Sequence, residues 1–148
     1  MLLIFRLFGV SSLESLAYNI KNNGYIVSLI DAKNDNVYFS VFELAENKYT
    51  LKENYSAKNI NDVITVINNY KNENITFVGD GSYIYKDLLI QKFKSAYFAS
   101  EKENMQTSVS IGLAGMNKFN NGLYGDSSTL LPLYLRKSQA ERALDGKK

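Results

Sequence analysis

Hydrophobic positions along the chain switch between two spacings. Leu13, Leu16, Ala17 and Ile20 recur every three or four residues, the period of a helix with one apolar face. Ahead of them, Ser11-Ser12-Leu13-Glu14 has the S-x-x-E form of a capping box, and Gly24 stands where a glycine stop would. The spacing predicts a helix over 12–23. "YIVSLIDA" (25–32) and "VYFSVFEL" (37–44) are then rich in β-branched and aromatic residues. Between them lies "KNDN", whose Asn and Asp tolerate positive φ, so 25–44 reads as a hairpin. After a second turn at "AEN", "KYTLKENYS" (48–56) alternates as a third, more exposed strand.

Helical spacing returns at Ile60, Val63, Ile64 and Ile67, within a helix over 60–71 capped by Asn59 or Asn61. "ITFVG" (75–79) is a short buried strand, "DGS" a turn, and 83–94 a helix facing inward through Tyr85, Leu88, Leu89 and Phe93. "SAYFAS" (95–100) is a last strand. Met105, Val109, Leu113 and Met116 predict a helix over 105–119, in which Gly112 and Gly115 lower helix propensity but permit close packing. The order α, βββ, αβ, αβ, α gives the fold class: α/β, a ribonuclease-H-like lobe of three antiparallel strands followed by αβαβα, a mixed sheet with helices on its faces. Right-handed crossovers place strand 75–79 beside 25–32. The lobe is expected over 1–130, with an extended strap and basic tail over 131–148.

Composition narrows the chemistry. The chain has 148 residues, 45 % hydrophobic and 13 % aromatic, enough for one domain with a real core. It has no cysteine and no histidine. That excludes disulfides, standard zinc sites, Ser-His-Asp triads and any histidine base. Residues 1–135 carry 12 basic and 13 acidic side chains, and residues 136–148 carry five basic and two acidic. A neutral body is not the basic surface of a nucleic-acid binder. "MLLIFRLF" reads as a buried strand, because Arg6 interrupts it far short of the ~20 apolar residues of a membrane span. No membrane contact and a cytoplasmic location are expected.

Two acids fall at the carboxyl ends of neighbouring strands, where open α/β sheets bind ligands: Asp31 and Asp80. Together they could hold Mg²⁺ for a ribonuclease-H-like hydrolase. They could equally cap turns. Gly79-Asp80-Gly81 could also offer backbone N–H groups to a phosphate at a helix start, which makes Asp31, Gly79, Asp80 and Gly81 candidates for a vestigial nucleotide site. The only proline, Pro132, fixes φ and biases Leu131 to extended backbone. "LPLYLR" is therefore expected as a strap, pinned to the body by its apolar side chains, with Arg136 and Lys137 reaching outward. Ser138 is expected to restart a helix.

Four stretches, "GVSSLESLAYN" (9–19), "LIDAKNDNVYFSVFE" (29–43), "FVGDGS" (77–82) and "LPLYLRKSQAER" (131–142), resemble the C-terminal half of the bacterial TsaB family, also called YeaZ. The resemblance implies one of two ribonuclease-H-like halves of an actin/Hsp70-type fold. It implies a non-catalytic subunit, with no cofactor of its own, that joins the catalytic TsaD and the ATPase TsaE. That complex transfers a threonylcarbamoyl group to the adenosine beside the anticodon of tRNAs reading ANN codons. TsaD-type members carry histidine metal ligands, which this chain lacks. Residues 1–8 match the pattern poorly, and the family's "G-P-G-S-[FY]-T-G" half is absent, so a truncated, non-functional fragment is a further alternative. Partner contacts are expected at Pro132, Tyr134 and Arg136. Self-association is expected through helices 12–23 and 105–119 and the "LLPLYL" run, left uncovered by the missing half.

Overall fold

A computed structural model describes residues 7–125 and 130–135 of the chain. Its centre is a sheet of five strands in the order β3-β2-β1-β4-β5, with β1 Gly24–Asp31, β2 Asn36–Ala45, β3 Lys48–Asn59, β4 Ile75–Val78 and β5 Tyr97–Phe98. β1, β2 and β3 are antiparallel neighbours, whereas β4 runs parallel to β1 and β5 parallel to β4. The predicted ribonuclease-H-like lobe is therefore present, with 75–78 beside β1 as expected.

Strand alternation sends side chains to two faces. Val27 and Leu29 of β1, with Val37, Phe39, Val41, Ile75 and Phe77, meet helix α2 (Ile60–Ile67) and the end of helix α4 (Lys86–Lys92) through Ile60, Val63, Ile67, Leu89 and Phe93. On the other face Ile26, Phe42, Leu44 and Val78 meet Leu16, Ala17 and Ile20 of the short helix α1 (Ser12–Ala17) and the turn after it. Helix α5 (Ser108–Asn120) lies outside α1. Asn59 caps α2, its Oδ1 accepting from the N–H of Asn61.

Several boundaries differ from the sequence expectation. α1 stops at Ala17 rather than residue 23: the next turn tightens, with the N–H groups of Asn19 and Ile20 donating to Leu16 O and Ala17 O, and the following carbonyls are taken by side chains, Tyr18 O by Lys21 Nζ and Ile20 O by Tyr49 Oη. Gly24 does not stop a helix. It opens β1 with φ 131°, where a Cβ would run into Asn74 O. Ser11 does cap α1, its Oγ accepting from the N–H of Leu13, but Glu14 turns away to other partners. The reciprocal capping box lies instead at Thr107 and Ser110. β3 runs three residues past its predicted end, and the helix expected over 83–94 is two, α3 (Asp80–Ile84) and α4. Of the expected first strand, residues 1–6 lie outside the described residues; Leu7 makes a single antiparallel bridge to Gly125, and Leu7 and Phe8 are each 37 % exposed, so these two residues are not buried.

Candidate functional site

The carboxyl edge of β1 and β4 is built by glycine. Gly79, φ 100°, lies so close to β1 that a Cβ would strike Leu29 O, and Gly81 would bring its Cβ 3.0–3.1 Å from Leu29. Only glycine lets α3 start here, directly after β4. Asp80 is the first residue of α3, and its Oδ1 accepts the Asp31 N–H at 3.0 Å. The two sequence-predicted acids are thus brought together, through the backbone of one and the carboxylate of the other.

Asp31 is otherwise engaged. Its side chain, 7 % exposed, takes Lys33 Nζ at 2.6 Å on Oδ2 and the Lys33 N–H at 3.1 Å on Oδ1. The lysine hydrogen bond, with the backbone N–H, holds the Asp31 carboxyl below the usual range against the opposing effect of burial. The same contact raises Lys33. Lys33, Asn34 and Asp35 all have positive φ (63°, 54° and 57°), an uncommon run of three non-glycine residues. Asn36 Nδ2, donating to Asn34 O at 2.7 Å, helps close this loop.

The arrangement does not fit a magnesium centre. Among the described residues no three Asp or Glu side chains converge. Asp31 is neutralised by a lysine and Asp80 spends one oxygen on a structural N–H, so the pair does not present the several free oxygens that a magnesium centre takes.

Three features of the site carried little sequence signal. Asn104 Oδ1 accepts the Gly79 N–H at 2.6 Å, while its Nδ2 donates to Ala99 O at 3.0 Å, tying the loop after β5 to the start of α3. Glu14, 7 % exposed, receives Tyr55 Oη at 3.2 Å and pairs with Lys118 Nζ at 3.0 Å, so α1, β3 and α5 share one carboxylate. Burial first, then Glu14, raises the Tyr55 phenol. Tyr18 and Tyr49 stack with ring centroids 4.0 Å apart, and burial pushes Tyr49 up to about 12.

Residues 130–135 belong to no helix or strand, and the apolar side chains expected to pin a strap to the body are not buried. Leu131, Leu133 and Tyr134 are 79 %, 62 % and 84 % exposed. Leu130 to Leu135 form one wall of an open groove of about 840 Å³, whose floor includes Ser11, Ile30, Tyr38 and Tyr55. Arg136, Lys137 and the helix expected from Ser138 lie outside the described residues. None of the described helices is long and apolar enough to cross a membrane.

A model of the family described as "TsaD: tRNA N6-adenosine threonylcarbamoyltransferase" matches residues 3–144. The chain belongs to that family. No curated protein matches it. Among solved structures it is similar to an uncharacterized protein from Pseudomonas aeruginosa described as similar to peptidase YEAZ. That match has 19 % identity and a TM-score of 0.62, covering 86 % of this chain and 57 % of that one. YeaZ from Pseudomonas aeruginosa is a second, at 18 % identity and a TM-score of 0.58, covering 87 % and 60 %. The fold is that of YeaZ, the actin-like, ribonuclease-H-like fold, and the chain spans about three fifths of the length of these structures.

Proposed function

We propose that this chain is a non-catalytic lobe of a YeaZ (TsaB)-type protein, serving threonylcarbamoyl transfer to tRNA adenosine by joining a TsaD-type enzyme and a TsaE-type ATPase. The observation that carries the reading is the family match over residues 3–144 in a chain without histidine. Catalytic members of the resembled family ligate metal through histidine, so this chain's contribution is contact rather than chemistry. The site supports the same reading. Asp31 and Asp80 are committed to closing the β1 edge, and Gly79 and Gly81 to packing on Leu29. The lobe corresponds to the C-terminal half of the two-lobed protein, and the exposed strap at Pro132 and Tyr134, continuing into Arg136, is its contact with a partner.

Gel filtration of the chain with a TsaD-type protein tests this directly. Co-elution that weakens on Tyr134→Ala is the expected result. Absence of any complex, together with no effect of added chain on tRNA modification by the partner proteins, overturns it. Asp80→Asn separates scaffold from catalyst, since an asparagine Oδ1 still accepts the Asp31 N–H. Modification is expected to be unchanged by that substitution. Its loss in a still-folded Asp80→Asn protein would mean the carboxylate has a chemical task.

A further inference from the structure

Asn-Gly occurs twice in the chain, each time after another asparagine: Asn22-Asn23-Gly24 and Asn120-Asn121-Gly122. The dipeptide is reactive. Glycine has no side chain to shield its backbone nitrogen, so that nitrogen, once it loses its proton, can attack the side-chain Cγ of the asparagine before it. The fold puts the two copies in different settings.

At Asn121–Gly122 both reacting groups are held. The stretch closes α5 as a Schellman turn: Gly122, φ 69°, donates its N–H to Phe119 O at 3.0 Å, and the Leu123 N–H reaches Lys118 O at 2.9 Å. The Asn121 amide is tied back as well. Its Nδ2 donates to Asn117 O at 2.7 Å and to Asn117 Oδ1, and Asn117 Nδ2 is itself anchored on the Tyr18 hydroxyl. Attack there requires the amide and the backbone nitrogen to be released together.

At Asn23–Gly24 one partner is free and the other sits at an end. Asn23 is exposed in a bend between α1 and β1, and among the described residues its side chain has no hydrogen-bond partner. Gly24 stands opposite Leu44 as the last pair that β1 makes with β2, where a ladder opens at least cost. The glycine itself is fixed by the fold, since at φ 131° a Cβ would run into Asn74 O. The reactive residue is therefore required, and the asparagine before it is free to turn toward it.

We infer that Asn23 is a site of spontaneous deamidation, with water as the co-reactant. The deprotonated Gly24 nitrogen bonds to Asn23 Cγ, Nδ2 leaves as ammonia after taking a proton from water, and a cyclic imide closes. Water then adds to one of the two ring carbonyls. Breaking the bond from the ring nitrogen to Cγ restores the backbone with an aspartate. Breaking its bond to the backbone carbonyl carbon leaves isoaspartate, with the chain running through the side chain and one methylene longer. Nothing is oxidised or reduced. Either product adds a negative charge to the bend. The isoaspartate also lengthens the chain directly before the tight Gly24–Asn74 approach, where the Tyr25 N–H donates to Asn74 O at 2.7 Å and begins the β1–β4 pairing.

Ageing the full chain at mildly alkaline pH, followed by tryptic peptide mapping with mass spectrometry, tests the inference. The peptide starting at Asn22 is expected to gain the mass difference between amide and acid, and to split into an aspartate and an isoaspartate form. It should do so roughly tenfold ahead of the peptide starting at Phe119, about what one extra hydrogen bond to be broken is worth. Asp80–Gly81 and Asp145–Gly146 can form the same ring but without a change of mass, so they do not interfere. In urea, where the fold no longer separates them, the two Asn-Gly sites are expected to react alike. Asn23→Ser should abolish the change with an unaltered circular-dichroism spectrum, and amide exchange at Tyr25 should quicken in the aged wild-type chain only. Equal or faster reaction at Asn121 in the folded chain overturns the proposal. So does an Asn22 peptide that keeps its mass while the same peptide reacts in urea, or a difference between the two sites that persists in urea.

Discussion

The two faces of the sheet are closed by different means. Under α2 and α4 the contact is almost wholly apolar, with Phe77 fully buried between Phe93 and Phe98 at centroid distances of 5.6 and 5.2 Å. Under α1 and α5 the apolar cluster is smaller, and polar groups fasten the layers. Glu14 joins Tyr55 and Lys118, Ser15 Oγ meets Ser110 Oγ at 3.0 Å, and Asn117 Nδ2 donates to Tyr18 Oη at 2.6 Å. Two cross-strand serines, Ser28 and Ser40, are buried with neither hydroxyl partnered. Apolar packing is non-directional and tolerates sliding, whereas directional polar contacts hold α5 in one orientation. The second face is also the one whose outer helix is left apolar toward solvent.

The sharpest blow to the first face is Phe77→Ala. It removes a large, fully buried ring from the middle of the apolar layer and is expected to destabilise by about 4 kcal/mol, read from a denaturant midpoint. Protection against hydrogen exchange should fall across β1 and β4 together. Glu14→Gln attacks the second face. It leaves Lys118, 23 % exposed, without its counter-charge, and a loss of about 2 kcal/mol is expected, smaller than for a fully buried pair because water reaches the lysine. Faster exchange confined to α5, with β4 unchanged, is the signature of fastening by contact; uniform loss over both faces would erase the distinction between them.

Alkali should loosen the second face through Tyr49. Tyr49 ionises at about 12 in the folded chain against an ordinary 10.0, because burial disfavours the phenolate. Its stabilising effect is complete below pH 10 and is lost as pH rises toward 12. A tyrosine absorbance titration should therefore show a late-titrating group whose ionisation coincides with loss of α1 contacts, since Tyr49 Oη donates to Ile20 O. Titration of every tyrosine near 10 in a folded chain would contradict this. The smallest effect, and of opposite sign, is expected at Ser28. Ser28→Ala removes a buried, unpartnered hydroxyl and should stabilise by about 1 kcal/mol, with Ser40→Ala alike. Destabilisation by either would show that the hydroxyls do find partners on this face.

The first face was far more legible than the second. Ile60, Val63, Ile64 and Ile67 announce α2 by spacing alone, and the hairpin turn at 33–35 by its Asn and Asp. Both depend on residues close together in sequence. Asp31 and Asp80 could be placed together from strand order, yet their partners could not. An Asp followed by a Lys two residues on does not say that the pair will close on itself, nor that Asp80 will take a backbone N–H from 49 residues away. Glu14 misled for the same reason. In S-x-x-E it reads as a local cap, and a tyrosine from β3 and a lysine from α5 claimed it instead. Asn104 gave no local signal at all, because its partners, Gly79 and Ala99, are meaningful only once β4 and β5 lie side by side.

By itself, then, the sequence determined the order of the main strands and helices from α1 to α5 though not all their bounds, that the sheet is mixed with β4 against β1, and, through the absence of histidine and cysteine, which chemistries are closed to it. These follow from periodicity, turn residues and side-chain inventory, all of which are local. The tertiary structure alone decided where α1 stops, which groups Asp31 and Asp80 take, that Leu131, Leu133 and Tyr134 beside Pro132 are left exposed, and that α5 turns Val109, Leu113 and Met116 outward around an open Gly112. Each of these depends on which groups meet across the fold, and a hydrogen bond or an apolar contact exists only when both of its ends have been brought to the same place.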